Sequence, residues 1–137
     1  IKSLVKQIEE SSKLNFDTKI DNIDNLFSGE NELSVYRIVQ EALTNVIKHS
    51  KAKNVQVKIS KSLGNQDFTN PQDKLIIKIV DDGVGFNPKV NTNGNFGLDN
   101  INHRVQFLNG KLTINSVIGK GTTILIYLNI QSKNNEK

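Results

Sequence analysis

At the end of the apolar run "LIIKIV" the chain reads "VDDGVGF", Val80 to Phe86, with two carboxylates and two glycines in five residues. A carboxylate fixed at a strand end can accept a hydrogen bond from an exocyclic amine such as that of adenine. Glycines beside it allow close backbone approach and positive φ. Asp81, Gly83 and Gly85 form D-x-G-x-G, while Asp82 takes the variable place and is expected only to face water. The plain alternative is a hairpin turn with a solvated aspartate.

Two further patches carry chemically useful groups. Glu41, Asn45 and Lys48 stand at i, i+4 and i+7, one stripe opposite an apolar helix face. An asparagine oxygen is a neutral, hard ligand suited to Mg²⁺, and a lysine answers phosphate charge; a solvated helix face is the alternative. Glycine-rich backbone recurs in "GNFGL" and "GKGT". Gly97 and Leu98 would open a helix, where free N–H groups and the dipole attract phosphate, unless they merely cap it. There is no G-x-x-x-x-G-K-[ST], and no G-x-G-x-x-G follows a strand, so a P-loop and a Rossmann dinucleotide site are excluded.

The elements that must position these groups follow from periodicity. "IKSLVKQIEESSKL" spaces Leu4, Val5 and Ile8 as a helix, and residues 1–14 are expected to be the end of one continuing from upstream. Phe16, Thr18 and Ile20 alternate as a half-buried strand. From Leu33 to Ser50, the residues Val35, Ile38, Val39, Ala42, Leu43, Val46 and Ile47 keep helical spacing. "NVQVKIS" and "KLIIKIV" are strands joined by a long polar connection, "KSLGNQDFTNPQD". A polar segment, "NPKVNTNGN", precedes a helix through Leu98, Ile101, Val105 and Leu108. "KLTINSV" and "TTILIYLNI" then pair about "IGKG". This order predicts an α+β fold, a two-layer sandwich whose mixed, largely antiparallel sheet carries about three helices on one face.

The 137 residues suit one domain, here 1–137. No cysteine is present, which excludes disulfides and thiolate metal sites, and the absence of an initiator methionine suggests an excised piece. A formal charge of +4 with scattered basic residues suits an anionic ligand or acidic partner better than nucleic acid. No apolar stretch reaches the ~20 residues of a membrane span, so a cytoplasmic domain without membrane contact is expected.

In this order and spacing, "YRIVQEALTNVIKHSKAKNVQVKI", "IKIVDDGVGF", "FGLDNINHRV" and "GKGTTILIYL" closely resemble the N, G1 and G2 boxes and final glycine turn of bacterial sensor histidine kinases. The nearest likeness is to the ATP-binding catalytic domain of the nitrate-sensor or desaturase-sensor type, with its Bergerat-type fold shared with gyrase, chaperone and mismatch-repair ATPases. The resemblance covers almost the whole chain. It implies that Asp81 accepts the adenine amino proton and that Asn45 helps hold Mg²⁺, with Glu41 near the metal through water. It puts Lys48 or His49 close to the phosphates, Gly83 and Gly85 at the floor and hinge, and Gly97 and Leu98 as N–H donors to phosphate. Gly121 and Thr122 close the adenine side, Thr122 through a water, and Phe86 to Phe96 form a short ATP lid.

Two departures stand out: Asn95, preceded by Gly94, replaces the first glycine of the G2 pattern, and the loop from Lys61 to Lys74 is long for the family. Neither His49 nor His103 has the context of the phosphorylated histidine, which the resemblance places on a separate dimerisation helix of a homodimeric kinase. The implied reaction carries the γ-phosphate of Mg·ATP to that histidine and then to a response regulator with a helix-turn-helix output domain. Alternatives are an ATP-gated conformational ATPase with Glu41 activating water, an anti-sigma serine kinase, and a nucleotide-free interaction domain of the same fold.

Overall fold

A computed structural model describes residues 1–64, 73–87 and 98–130. In chain order the elements are α1 (Lys2–Ser11), β1 (Asn15–Ile20), α2 (Gly29–Asn45), a π-helical turn (Val46–Ser50), β2 (Asn54–Ser62), β3 (Lys74–Asp81), α3 (Leu98–Phe107), β4 (Lys111–Val117) and β5 (Gly121–Asn129). The five strands form one sheet in the order β1-β2-β3-β5-β4. Only β1 and β2 run parallel, with the α2 crossover between them; β2–β3 and β4–β5 are antiparallel as consecutive strands, and β3–β5 is antiparallel across the connection through α3 and β4.

The alternation of β3 decides what the fold can do. Leu75, Ile77 and Ile79 face the helices, and cross-strand neighbours extend the layer: Ile59, Ile77 and Ile126 form one row, and Val57, Ile79 and Ile124 the next. With Leu4, Val5, Val35, Ile38, Ile101 and Val105 from the helices, these side chains make one contiguous core. A period of two then carries the next position, Asp81, onto the same helix-facing side, in register with Val55 and Thr122. Asp81 is thus the last residue of the strand rather than the first of a turn, and only 6% of it is exposed.

Helix α2 begins four residues before the periodicity suggests, since Glu30 and Glu32 place negative charge in the first turn, against the positive end of the helix dipole. Its stripe of Val35, Ile38, Val39, Ala42, Leu43 and Val46 is buried, but Ile47 is 42% exposed. The winding widens from α to π after Asn45, so positions beyond Val46 leave the face that an α repeat predicts. Ser50 closes this turn: its hydroxyl donates to the Val46 carbonyl at 2.6 Å and accepts the Ala52 N–H at 3.0 Å, while Lys51 turns left-handed with φ 55°. In the edge strand β1, Phe16 and Ile20 are half-buried but Thr18 is exposed. No helix among the described residues is long and apolar enough to cross a membrane.

The expectation that Asp82 only faces water is corrected. Its Oδ1 accepts the backbone N–H groups of Lys53 (2.9 Å) and Asn54 (3.0 Å), and its Oδ2 accepts from the Asn54 side-chain amide (2.8 Å). It is exposed, yet it ties the end of β3 to the start of β2. The Asn54 backbone and side-chain donors, with the Lys53 N–H, favour the ionised form and lower its pKa from 3.8 to about 2.

Two outcomes follow from this packing. Ile77→Ala, at a fully buried position facing Ile59 and Ile126, is expected to cost about 2–5 kcal/mol, read from the midpoint of denaturant unfolding. Because the folded pKa of Asp82 lies below its unfolded value, its stabilisation is fully present above about pH 4 and is lost as pH falls toward 2. Asp82→Ala should therefore be less stable than the wild type at pH 7, with the gap closing in acid. A gap that stayed constant over that range would contradict the assignment.

Candidate active site

Three backbone segments meet at the open end of the sheet. Val84 occupies the junction: its N–H donates to the Ser50 carbonyl at 2.6 Å, and its carbonyl accepts the Gly119 N–H at 2.7 Å. The D-x-G-x-G turn is thereby fastened to the end of the α2–π helix on one side and to the β4–β5 turn on the other. Such contact requires bare backbone. A β-carbon on Gly83 would collide with the Ser50 carbonyl, and one on Gly121, at φ +108°, with the Asp81 carbonyl. Gly85 meets both requirements, with φ +65° and the Val117 carbonyl where a β-carbon would stand.

These contacts frame an open cleft at the end of the sheet. Val46, Val84, Phe86, Leu98 and Ile124 supply apolar walls. Asn45, His49, Ser50, Asp81 and Thr122 supply the polar groups. Asp81 Oδ1 accepts the Gly83 N–H at 2.9 Å, and the Thr122 N–H also serves the carboxylate. Burial raises the Asp81 pKa; the Gly83 and Thr122 donors act against this, and the nearby Asp82 charge adds to it. A carboxylate held in an apolar cleft with fixed N–H donors is positioned to accept further hydrogen bonds from a ligand.

At the helix wall, Asn45 is half-buried and its Nδ2 is a buried polar atom without a hydrogen-bond partner. The two ends of an amide exchange by rotation about its last torsion, so this side chain can equally turn its oxygen, a hard neutral donor, to the same place. An orphaned amide at the rim of a cleft fits a hard cation bound with a ligand; among the described residues no group of three or more His, Asp or Glu converges on a metal position.

The predicted site residues separate accordingly. Asn45, His49, Asp81, Gly85, Leu98 and Thr122 line one cleft, with Gly83 and Gly121 behind it as backbone contacts. Glu41 and Lys48 do not line it. Lys48 fails the i, i+7 projection because the π turn brings positions 49 and 50 round beneath Asn45, so His49 and Ser50 take the wall. Gly97, Gly94, Asn95 and residues 88–96 of the expected lid lie outside the described residues, as does 65–72 of the β2–β3 connection.

Two residues were not singled out from sequence. Ser50 ends the π turn and offers its carbonyl to Val84. Ser116, buried on β4, accepts the Phe86 N–H and bonds Thr122. A serine at a core-facing strand position, in register with Thr122, was the available signal for Ser116.

Residues 30–132 match the family model described as histidine kinase-, DNA gyrase B-, and HSP90-like ATPase. The chain is 35% identical over 133 residues to the signal transduction histidine-protein kinase/phosphatase DegS of Brevibacillus brevis, covering 97% of this chain and 32% of that protein. It is 37% identical over 94 residues to the sensor histidine kinase ComP of Bacillus subtilis, covering 67% of this chain and 11% of that one. The chain thus spans about a third or less of the curated relatives it matches. In solved structures, the blue-light activated histidine kinase of Erythrobacter litoralis superposes with a TM-score of 0.72 at 20% identity, over 96% of this chain and 41% of that one. The two-layer fold, the buried strand-end carboxylate beside its glycines and the match over most of the chain lead to one conclusion: the chain belongs to the family of histidine kinase-, DNA gyrase B- and HSP90-like ATPases.

Proposed function

We propose that the chain is the ATP-binding catalytic domain of a bacterial sensor histidine kinase, working on the cytoplasmic side. It binds Mg·ATP and presents the γ-phosphate to a histidine on a separate dimerisation domain of the same protein. From there the phosphoryl group passes to a response regulator, in this reading one with a helix-turn-helix output domain. The observation that carries the proposal is the buried Asp81 carboxylate, fixed by two backbone donors at the polar end of an apolar cleft. The names of the curated relatives supply the kinase half of the reading.

In this reading the apolar walls, Val46, Val84 and Ile124, take the faces of adenine, and Asp81 accepts its amino proton. Thr122 and Gly121 close that side. Asn45 and His49, on the helix wall, lie toward the phosphates, and Leu98 opens α3, whose N-terminal N–H groups favour phosphate. Bound Mg²⁺, with Asn45 as its protein ligand and Glu41 reaching it through water, would neutralise phosphate charge. The remaining contribution of this chain is positioning: holding the nucleotide so that its terminal phosphate meets a nucleophile from elsewhere in line.

Calorimetric titration with Mg·ATP tests the site. Asp81→Asn is expected to bind about thirtyfold more weakly than the wild type, the equivalent of one charge-assisted hydrogen bond of about 2 kcal/mol. Equal affinity, or no heat from the wild type, rejects the assignment. Asn45→Ala should reduce by about tenfold the gain in ATP affinity that Mg²⁺ confers, leaving metal-free binding within about twofold. A Mg²⁺ dependence unchanged by the substitution would remove Asn45 from the metal.

A further inference from the structure

The face of the sheet turned away from the helices carries an unbalanced charge. Strand parity puts Lys19, Lys58 and Lys78 there, and strand pairing sets them directly opposite one another in a single row across β1, β2 and β3. All three are exposed, and none makes an ion pair with a described residue. Lys74 and Lys111 stand on the same face, toward the end remote from Asp81. Asp17 is the acid that strand parity places among them. Asp21 and Asp82, just past the ends of β1 and β3, already accept backbone N–H groups, from Lys61 and from Lys53 and Asn54 respectively. Like charges directly opposite on paired strands repel, so the row opposes folding rather than aiding it. The described helices pack on the other face and leave it uncovered.

The chemistry of this surface specifies what fits it. Paired strands lie about 4.8 Å apart, so the three lysine positions span about 10 Å. Carboxylates at i, i+4 and i+7 of a helix cover about the same distance. On the next strand the row continues into Leu125, and Ile76 and Val80 flank Lys78 along β3, all three half-buried. A helix laid across the strands sets three acids on the lysines and the apolar residue of its next turn on Leu125. We infer that the open face of the sheet, centred on Lys58, is a docking surface for an acidic amphipathic helix of a protein partner, which matches it in charge and adds a second layer to the sheet. A membrane is the poorer match, because lipid binding by a cationic surface also needs apolar side chains free to enter the bilayer. Val117, the large apolar residue exposed on this face among those described, sits at the far corner on β4. The surface stands apart from the cleft, whose Asp81, Thr122 and Ile124 lie on the helix-facing side, and its use does not depend on nucleotide binding.

The probe is a synthetic helical peptide of about 20 residues with Glu at i, i+4 and i+7, Leu one turn further on and Ala or Gln elsewhere, labelled for fluorescence anisotropy. A second peptide has Gln in place of the three Glu. The wild-type chain is expected to bind the Glu peptide about tenfold more tightly than the Gln peptide, the worth of three exposed ion pairs, with the margin shrinking as salt rises. The triple variant Lys19→Gln, Lys58→Gln, Lys78→Gln should lose about the same factor of ten for the Glu peptide. Removing equal charge by Lys2→Gln, Lys6→Gln and Lys13→Gln, exposed on or just beyond α1, should change affinity by less than about twofold, since charges that distant are screened. Lys58→Glu should weaken the Glu peptide yet hold or raise the midpoint of denaturant unfolding, because it relieves the repulsion within the row. A Glu peptide that does not bind, equal losses from the two triple variants, or a Lys58→Glu midpoint below that of the wild type would each overturn the inference. Vesicles of phosphatidylserine and phosphatidylcholine are expected to show no binding that the lysine row controls; row-dependent retention on them overturns the assignment to a protein partner.

Discussion

A carboxylate on the core face of a sheet is costly unless it is supplied with donors, and the arrangement of this molecule around Asp81 answers that requirement. The residue continues the inward row of Leu75, Ile77 and Ile79, so strand parity itself drives it under the helices. Desolvation acts against its charge, and the Gly83 and Thr122 N–H groups offset part of that. Both donors depend on backbone in the right place: Gly83 because the chain must bend back within two residues, Thr122 because β5 must begin opposite Asp81. The glycine at position 121, against the Asp81 carbonyl, permits that start.

The same closeness joins parts of the chain that are far apart in sequence. Ser50, Val84 and Gly119 are linked through two backbone hydrogen bonds, which tie the end of the α2–π helix, the strand-end turn and the glycine hairpin together. A pocket made this way has main-chain contacts fixed behind its side-chain walls. On the sheet side of the cleft the polar groups are few: Asp81 and Thr122, with the Ser116 hydroxyl bonded behind Thr122. At the other wall the π turn substitutes one wider winding for a regular one. Such turns carry a poorer backbone geometry and are often kept where a side chain must be re-aimed. Here the re-aimed residues are His49 and Ser50.

The N-terminal half of α2 and the sheet interior need no such special features. Their apolar spacing matches the period of the element in which it occurs, and local preference agrees with tertiary burial. Departures concentrate where the chain prepares the cleft: the π turn after Asn45, left-handed Lys51, and the positive φ values at Gly85 and Gly121. Asp82 belongs with them. Its three accepted hydrogen bonds hold the first residues of β2 against the end of β3, at the foot of the same turn.

By itself the sequence determined the element order, the α+β sandwich, the buried stripe of α2, and the D-x-G-x-G and glycine turns, because each is written in a local period or a residue type with few alternatives. It also marked Asp81, Asn45, His49, Leu98 and Thr122 as candidates, which the fold gathers into one cleft. Tertiary structure decided the rest. Lys48 and Ile47 leave their projected faces because an α repeat cannot register a single wider turn. Asp82 became a tie between strands because Lys53 and Asn54, about thirty residues earlier, arrive beside it only in the antiparallel pairing. Ser116, one serine among many in the sequence, became the partner of Phe86 and Thr122 through strand register and the closeness of two turns. Periodicity along a chain specifies which face a residue takes, but the identity of its neighbour across the sheet exists only once the strands have paired.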